Sequence, residues 1–329
     1  MSWKTYTVKE PTELTVSAYV KERFSLSSRN LQLLFRKKRV KVNSRVAHSK
    51  RVLKKGDVIT VQLPQDKEYG VDVEKGPLTV LYEDKYTLVV DKPPFMLVHP
   101  TGQTTKHTLS NLVAGHYAKR GEVHKIRPVH RLDRDTSGCV LFGKTREAQQ
   151  YYSEQLQAGF VHRIYRGYVD GTITDDGVIH APIGVDPVFD NRRCIDEFGQ
   201  EAITEYHVVH HGHKPTNMVS HNASAGHMTD YTVDGISDDG VVVAPNMGTN
   251  QSYTELEFRL RTGRTHQIRV HMAHIDHPII GDAMYGKREK PYTRQALHAY
   301  ALQFVPYNGN EEITVVSNVP SDFGLEKKS

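Results

Sequence analysis

The sequence predicts an α+β protein in two parts, a small mixed module followed by a larger β-rich body. Three observations lead there. Between residues 12 and 64, two helical segments precede short alternating strands. From Leu78 onward β-type runs dominate and helices are few. Strands and helices do not alternate in the rhythm that builds a wound βαβ sheet, and no internal repeat occurs.

The elements follow in order. Residues 12–25 are expected as a helix, with Leu14, Ala18 and Val20 near one face and Phe24 at its end. Ser27 or Ser28 can cap a second helix through Leu31, Leu34 and Phe35, closing on Arg36-Lys37-Lys38-Arg39. Val40 and Val42 alternate with Lys41 in a strand, Asn43-Ser44 turns, and Gly56-Asp57 precedes a strand at 58–61. The module, at 12–64, is followed by a polar linker, 65–76, containing Gly70 and Gly76. The larger domain is expected at 77–315, with strands at 78–81, 87–90 and 139–142. Thr145 caps a helix through Ala148, Tyr152 and Leu156, spaced by four, and Gly159 ends it. Further strands are expected at 164–169, 203–209 and 255–260. A polar insert at 210–252 reads as a long exposed loop or hairpin, and 316–329 as a tail.

Composition narrows the function classes. A chain of 329 residues can bury a large core without disulfides, and two cysteines, Cys139 and Cys194, are too few to build a framework of bridges. With no apolar run at residues 1–10 and no stretch near the roughly 18 residues of a membrane span, the expectation is a cytoplasmic protein without a signal peptide. The net charge of +5 is local. Eleven Lys or Arg and no Asp or Glu fall between residues 29 and 55, leaving 32 basic against 38 acidic residues elsewhere. Such a patch attracts polyanions, and Arg36, Lys37, Lys38, Arg39, Lys41 and Arg45 are its candidate phosphate contacts.

The chemistry concentrates in His130-Arg131-Leu132-Asp133, followed by Asp135-Thr136-Ser137-Gly138. Asp133 has an arginine on either side, Arg131 and Arg134. Asp135, beside Thr136, Ser137 and Gly138, better fills the ordinary role of a turn aspartate. His207, His210, His211, His213, His221 and His227 crowd one region, but without a thiolate or helical framing they do not predict a metal site. No phosphate-loop or dinucleotide fingerprint occurs, so no cofactor is expected.

Two resemblances extend this reading. Arg39-Val40-Lys41-Val42-Asn43, with Lys54-Lys55-Gly56-Asp57-Val58-Ile59, resembles the ribosomal-protein-S-four-type RNA-binding domain. The string from Arg127 to Gly138 resembles the signature of the RluA-type pseudouridine synthases. So do Lys92-Pro93-Pro94 with Val98-His99-Pro100, Arg163 to Gly171, Thr262 to His271, Pro278 to Asp282 with Tyr285-Gly286, and Leu297-His298-Ala299. The resemblance implies a large mixed, mostly antiparallel sheet in the catalytic domain and an enzyme that flips a uridine out of RNA. It makes Asp133 catalytic, has Arg131 fill the vacated stack, and sets Tyr165 against the base. It gives Arg269 as the ionic partner of Asp133, Ile280 as an apolar wall, and His130 and Arg264 as substrate contacts. Tyr168 falls on the opposite face of its strand by parity and is expected to be structural. RNA is the implied partner, ribosomal RNA first and transfer RNA as the alternative, and the protein is expected to be a monomer. A non-catalytic RNA-binding or ribosome-assembly protein on the same fold is the rival reading, and it would be expected to lack Asp133, Tyr165 or Arg269. The family joins the strands at 203–206 and 254–256 by a short turn, whereas about forty residues intervene here.

Overall fold

The computed structural model describes residues 3–24, 26, 28–63, 66–213, 252–287 and 292–323. The N-terminal elements are β1 (Trp3–Thr7), α1 (Val16–Arg23), α2 (Ser28–Arg36), β2 (Val40–Val42), β3 (Arg45–Val46) and β4 (Val58–Gln62). Their four strands form one sheet in the order β1-β4-β2-β3. A single apolar cluster, including Val16, Val20, Phe24, Leu34, Val40, Val42, Ile59 and Val61, draws only on residues 8–63. Helix α1 starts later than the expected 12, because the Thr15 side chain accepts the Ala18 N–H and fixes the cap there. Leu14 therefore lies outside the helix, and the buried stripe is Val16 and Val20. Asn43 and Ser44 have φ of 51° and 67°, the left-handed pair that a two-residue hairpin between β2 and β3 requires.

The following elements are β5 (Thr79–Glu83), β6 (Thr87–Lys92), α3 (Leu109–Lys119), β7 (Ser137–Gly143), α4 (Arg146–Gln157), β8 (His162–Asp170), β9 (Gly177–His180), β10 (Ile183–Val185), β11 (Arg193–Ile195), β12 (Ile203–His213), β13 (Ser252–Leu260), α5 (Gln267–His274), β14 (Leu297–Phe304) and β15 (Ile313–Val316). The chain divides into two compact units. The first holds residues 1–134, 139–161 and 303–315, and the second holds 135–138, 162–302 and 316–329. Strands β7 and β14 run through both. In the first unit the sheet order is β5-β6-β7, and in the second it is β7-β14-β8-β13-β12-β9. The β7–β14 pair is parallel and the registers of β8, β9, β12 and β13 are antiparallel, so the large sheet is mixed and mostly antiparallel. A separate hairpin, β10-β11, belongs to the second unit.

The segment expected as a linker is pinned along its length. Asp66 accepts from Arg127 Nη2 at 2.6 Å and Nη1 at 2.9 Å, Tyr69 donates to the Glu122 carbonyl, and Asn111 Nδ2 donates to the Asp72 carbonyl. At the expected insert, β12 and β13 stay paired out to His213 and Ser252, and residues 214–251 lie outside the described residues. The expected tail is partly packed, since Phe323 is buried edge-on to Tyr168.

Asp57 ties the N-terminal module together. It accepts from Asn43 Nδ2 at 2.7 Å, Lys54 N at 3.0 Å and Arg51 Nη2 at 3.1 Å. The Lys54 N–H, with Asn43 and Arg51, outweighs burial and holds its carboxyl below the ordinary range. A lowered folded-state value means stability that is present above about pH 4 and is lost as pH falls through the folded value. Asp57→Ala is expected to cost about 1.5–3 kcal/mol, the scale of hydrogen bonds to a charged group. It should also remove part of the acid-side fall in stability, as read by urea denaturation between pH 3 and pH 6.

Candidate active site

The signature string lies on the approach to β7 and at its start. Residues 127–129 run beside the end of β7, bridged at Pro128 and Phe142, with the Val129 N–H donating to the Leu141 carbonyl. The chain then alternates: His130 buried, Arg131 exposed, Leu132 buried, Asp133 half-buried, Arg134 exposed. His130 Nε2 accepts the Leu141 N–H at 3.3 Å, so the imidazole anchors the loop from behind. The Arg134 carbonyl accepts twice, from the Met96 N–H at 3.0 Å and from Lys92 Nζ at 2.9 Å. Lys92 is fully buried, and its ammonium also donates to the Pro93 and Met96 carbonyls at 2.9 and 2.8 Å. Three donors meet three carbonyls, which is how a lysine stays buried at acceptable cost.

The rest of the string belongs to the second unit and is held by the segment entering β14. Arg294 Nη1 donates to the Asp135 carbonyl at 3.1 Å and Nη2 to Ser137 Oγ at 3.2 Å. Gln295 Nε2 donates to Thr136 Oγ1 at 3.3 Å. His298 Nε2 faces the Ser317 carbonyl at 3.2 Å and so carries the proton, leaving Nδ1 to accept from Ser137 Oγ at 2.9 Å. Gly138 has φ of 112°, and a Cβ there would lie 2.3 Å from the Ala299 carbonyl oxygen. Only glycine permits this close parallel pairing.

In the same unit Tyr165 sits on β8, 6% exposed and opposite Phe258 on β13. Tyr168 is buried too, edge-on to Tyr253 and Phe323, and burial pushes its phenol up. Thr265 does not cap α5. His266 is the N-cap, left-handed and without a capping side chain, and Gln267 does the local work instead. Its Oε1 accepts from Thr262 Oγ1 and the Arg264 N–H, and its Nε2 donates to the Ile203 carbonyl and Thr204 Oγ1. Arg264 is exposed, with Nε donating to the Glu201 carbonyl. His271 is fully buried between Thr204 Oγ1 and the Ala181 carbonyl, and burial lowers its pKa.

Arg269 is 6% exposed and donates from Nε and Nη2 to the two oxygens of Asp282, at 2.6 and 2.8 Å. Asp282 Oδ1 also accepts the Met284 and Tyr285 N–H groups. The Tyr285 ring stacks under Arg269, 5.0 Å from Cζ to ring centroid, and its hydroxyl accepts the Arg193 N–H and meets His266 Nδ1. Ile280 is buried, with its N–H donating to the Tyr168 carbonyl. The second unit thus joins Arg269 and Ile280 through the segment 278–285, while His130, Arg131 and Asp133 share one loop of the first. The candidate phosphate contacts Arg36, Lys37, Lys38 and Arg45 are exposed, Arg39 is half-buried, and half-buried Lys41 lies over the Trp3 ring at 4.6 Å.

A family model described as RNA pseudouridylate synthase matches residues 86–274, more than half of the chain. The chain belongs to the RNA pseudouridylate synthase family. A Bacillus subtilis protein named uncharacterized RNA pseudouridine synthase YhcT is 35% identical to this synthase over 284 residues, covering 86% of this chain and 82% of its own. Ribosomal large subunit pseudouridine synthase D of Vibrio cholerae is 33% identical over 281 residues, covering 81% and 75%. Among solved structures, human RNA Pseudouridylate Synthase Domain Containing 1 superposes with a TM-score of 0.55 at 22% identity, over 75% of this chain and 86% of its own, a likeness of fold. The synthase isomerises uridine to pseudouridine in RNA. No helix among the described residues is long and apolar enough to cross a membrane.

Sequence reasoning missed Lys92, Asp282, Arg294 and Gln295 as parts of the site. Lys92 and Asp282 lay inside quoted motifs without an assigned role, and Arg294-Gln295 adjoins one. Lys92→Met takes the ammonium from three carbonyls and leaves that of Arg134 with the Met96 N–H alone. It is expected to cost about 3 kcal/mol or more, measured by equilibrium denaturation against the wild type.

Proposed function

We propose that this synthase modifies large-subunit ribosomal RNA, with Asp133 as its catalytic carboxylate. The observation that carries the reading is the Asp133 loop, an acidic side chain half-open to solvent on a backbone held rigid at Arg134. The names of several relatives support the ribosomal target, among them ribosomal large subunit pseudouridine synthase D of Vibrio cholerae and of Xanthomonas campestris.

The reaction breaks the C1′–N1 bond, turns the uracil and forms C1′–C5. C5 loses a proton and N1 gains one, so atoms and electrons balance without an oxidant or group donor. The base must leave the stack first. In this reading Arg131 occupies the vacated space, Tyr165 and Ile280 wall the base, and Arg264 contacts the RNA. His130 is the further substrate-side residue of this reading, buried in the loop with its Nε2 accepting the Leu141 N–H. Asp133 supplies the anion at the flipped nucleotide. Arg269, which Asp282 and Tyr285 orient, is in this reading the ionic partner that the resemblance assigns to Asp133. Residues 12–64 act as an S-four-type module that grips the RNA backbone through Arg36, Lys37, Lys38, Arg39, Lys41 and Arg45. The synthase acts as a monomer in the cytoplasm.

Two measurements test this. On unmodified ribosomal transcript, Asp133→Asn is expected to lower pseudouridine formation by about 10²- to 10⁴-fold. Retained turnover would remove Asp133 from the chemistry, and turnover on transfer RNA alone would replace the target. Changing Arg36, Lys37 and Lys38 together to Ser should flatten the dependence of log Kd on log salt by about 0.7 per lost contact with single-stranded RNA. An unchanged slope would remove the phosphate role.

A further inference from the structure

Phe95 stands in a conformation that its residue type disfavours. Eight described non-glycine residues have positive φ; seven are polar, and Phe95, at 63°, is the exception. A left-handed backbone crowds Cβ, and a bulky side chain there is strained. Burial does not compensate for that strain, since Phe95 is 54% exposed.

The surrounding backbone over-determines the conformation. Lys92 Nζ holds the carbonyls on either side of Phe95, those of Pro93 and Met96, at 2.9 and 2.8 Å. The Met96 N–H donates to the Arg134 carbonyl at 3.0 Å, which Lys92 also holds. The aromatic ring is therefore carried on a loop tied one residue beyond Asp133, in the same unit, where Arg131 and Arg134 are exposed. A rigid, exposed aromatic beside exposed arginines suits one kind of partner, an unpaired nucleotide, with the ring against a base face and cations for the phosphates. Strain held in place next to a reacting group points to use rather than accident.

We infer that Phe95 is a base-stacking residue for an unpaired nucleotide flanking the flipped uridine. The inference rests on the reading of Asp133 as the catalytic carboxylate. It gives the loop at 93–96 a substrate contact that the signature motif does not include.

The test uses the full chain and the variants Phe95→Gly and Phe95→Tyr. Dissociation constants are measured for an oligouridine single strand, an RNA duplex of the same length and an unmodified large-subunit ribosomal transcript, with Tm for each protein. Phe95→Gly is expected to keep or raise Tm, because glycine accepts the backbone without strain. It should weaken single-strand binding by about 5-fold or more, the scale of one lost base stack. Duplex binding should not change, and Phe95→Tyr should bind as the wild type does. Wild-type affinity in Phe95→Gly overturns the inference, as does a lowered Tm, which would mark Phe95 as a packing residue. If the ribosomal transcript is never converted but the oligouridine effect persists, the ribosomal reading fails and the stacking role stands.

Discussion

Two buried cations hold the backbone of the loop that carries Asp133, and the other features of the site depend on them. The Arg134 carbonyl is held by Lys92 and the Asp135 carbonyl by Arg294, consecutive peptide units in one turn. Hydrogen bonds from charged donors are stronger than neutral ones, about 1.5–3 kcal/mol each. Because both cations grip main-chain oxygens, the constraint falls on the path of the chain and leaves the side chains to other tasks. Arg131 and Arg134 can then face solvent while Leu132 and His130 face inward. A loop fixed by its side chains would have to commit those same groups.

Much of the fold was legible because local pattern and tertiary role agree. Helix α4 runs from the Thr145 cap to the Gly159 stop, and burial falls on Ala148 and Tyr152 as their spacing requires. Strand β13 forms where a strand is expected, but its burial does not alternate cleanly, since Glu255 is buried alongside Leu256 in a central strand covered on both faces. Helix α3 was not legible. Its capping box uses Thr108 and Asn111, and Asn111 is not the Glu or Gln that marks such a box in sequence. The polar character of 65–76 suggested a linker, but those polar groups find partners such as Arg127, Glu122 and Asn111, distant in sequence.

The site divides in the same way. Motif order gave the string around Asp133 and the segments around Tyr165, Arg269 and Ile280. The partners that orient them come from remote positions, and a single sequence carries no sign of those meetings. Asp282 takes two donors from Arg269 across thirteen residues, and Arg294 reaches Ser137 across 157. The bidentate Arg269–Asp282 pair fixes the plane of the guanidinium, and the Tyr285 ring sets the face it presents. Lysine would keep the charge and lose the plane.

The Lys92 cluster also explains how strain can persist so near Asp133. A left-handed phenylalanine relaxes unless something prevents it, and what prevents it here is the group that fixes the Asp133 loop. Releasing Phe95 would take the Pro93 or Met96 carbonyl away from Lys92, leaving a fully buried ammonium short of an acceptor. That penalty, several kcal/mol for an inadequately solvated buried charge, exceeds the roughly 1–3 kcal/mol stored in one unfavourable backbone conformation. Solvation of the ammonium therefore outweighs relief of the backbone, and the strained loop and the Asp133 loop stand or loosen together.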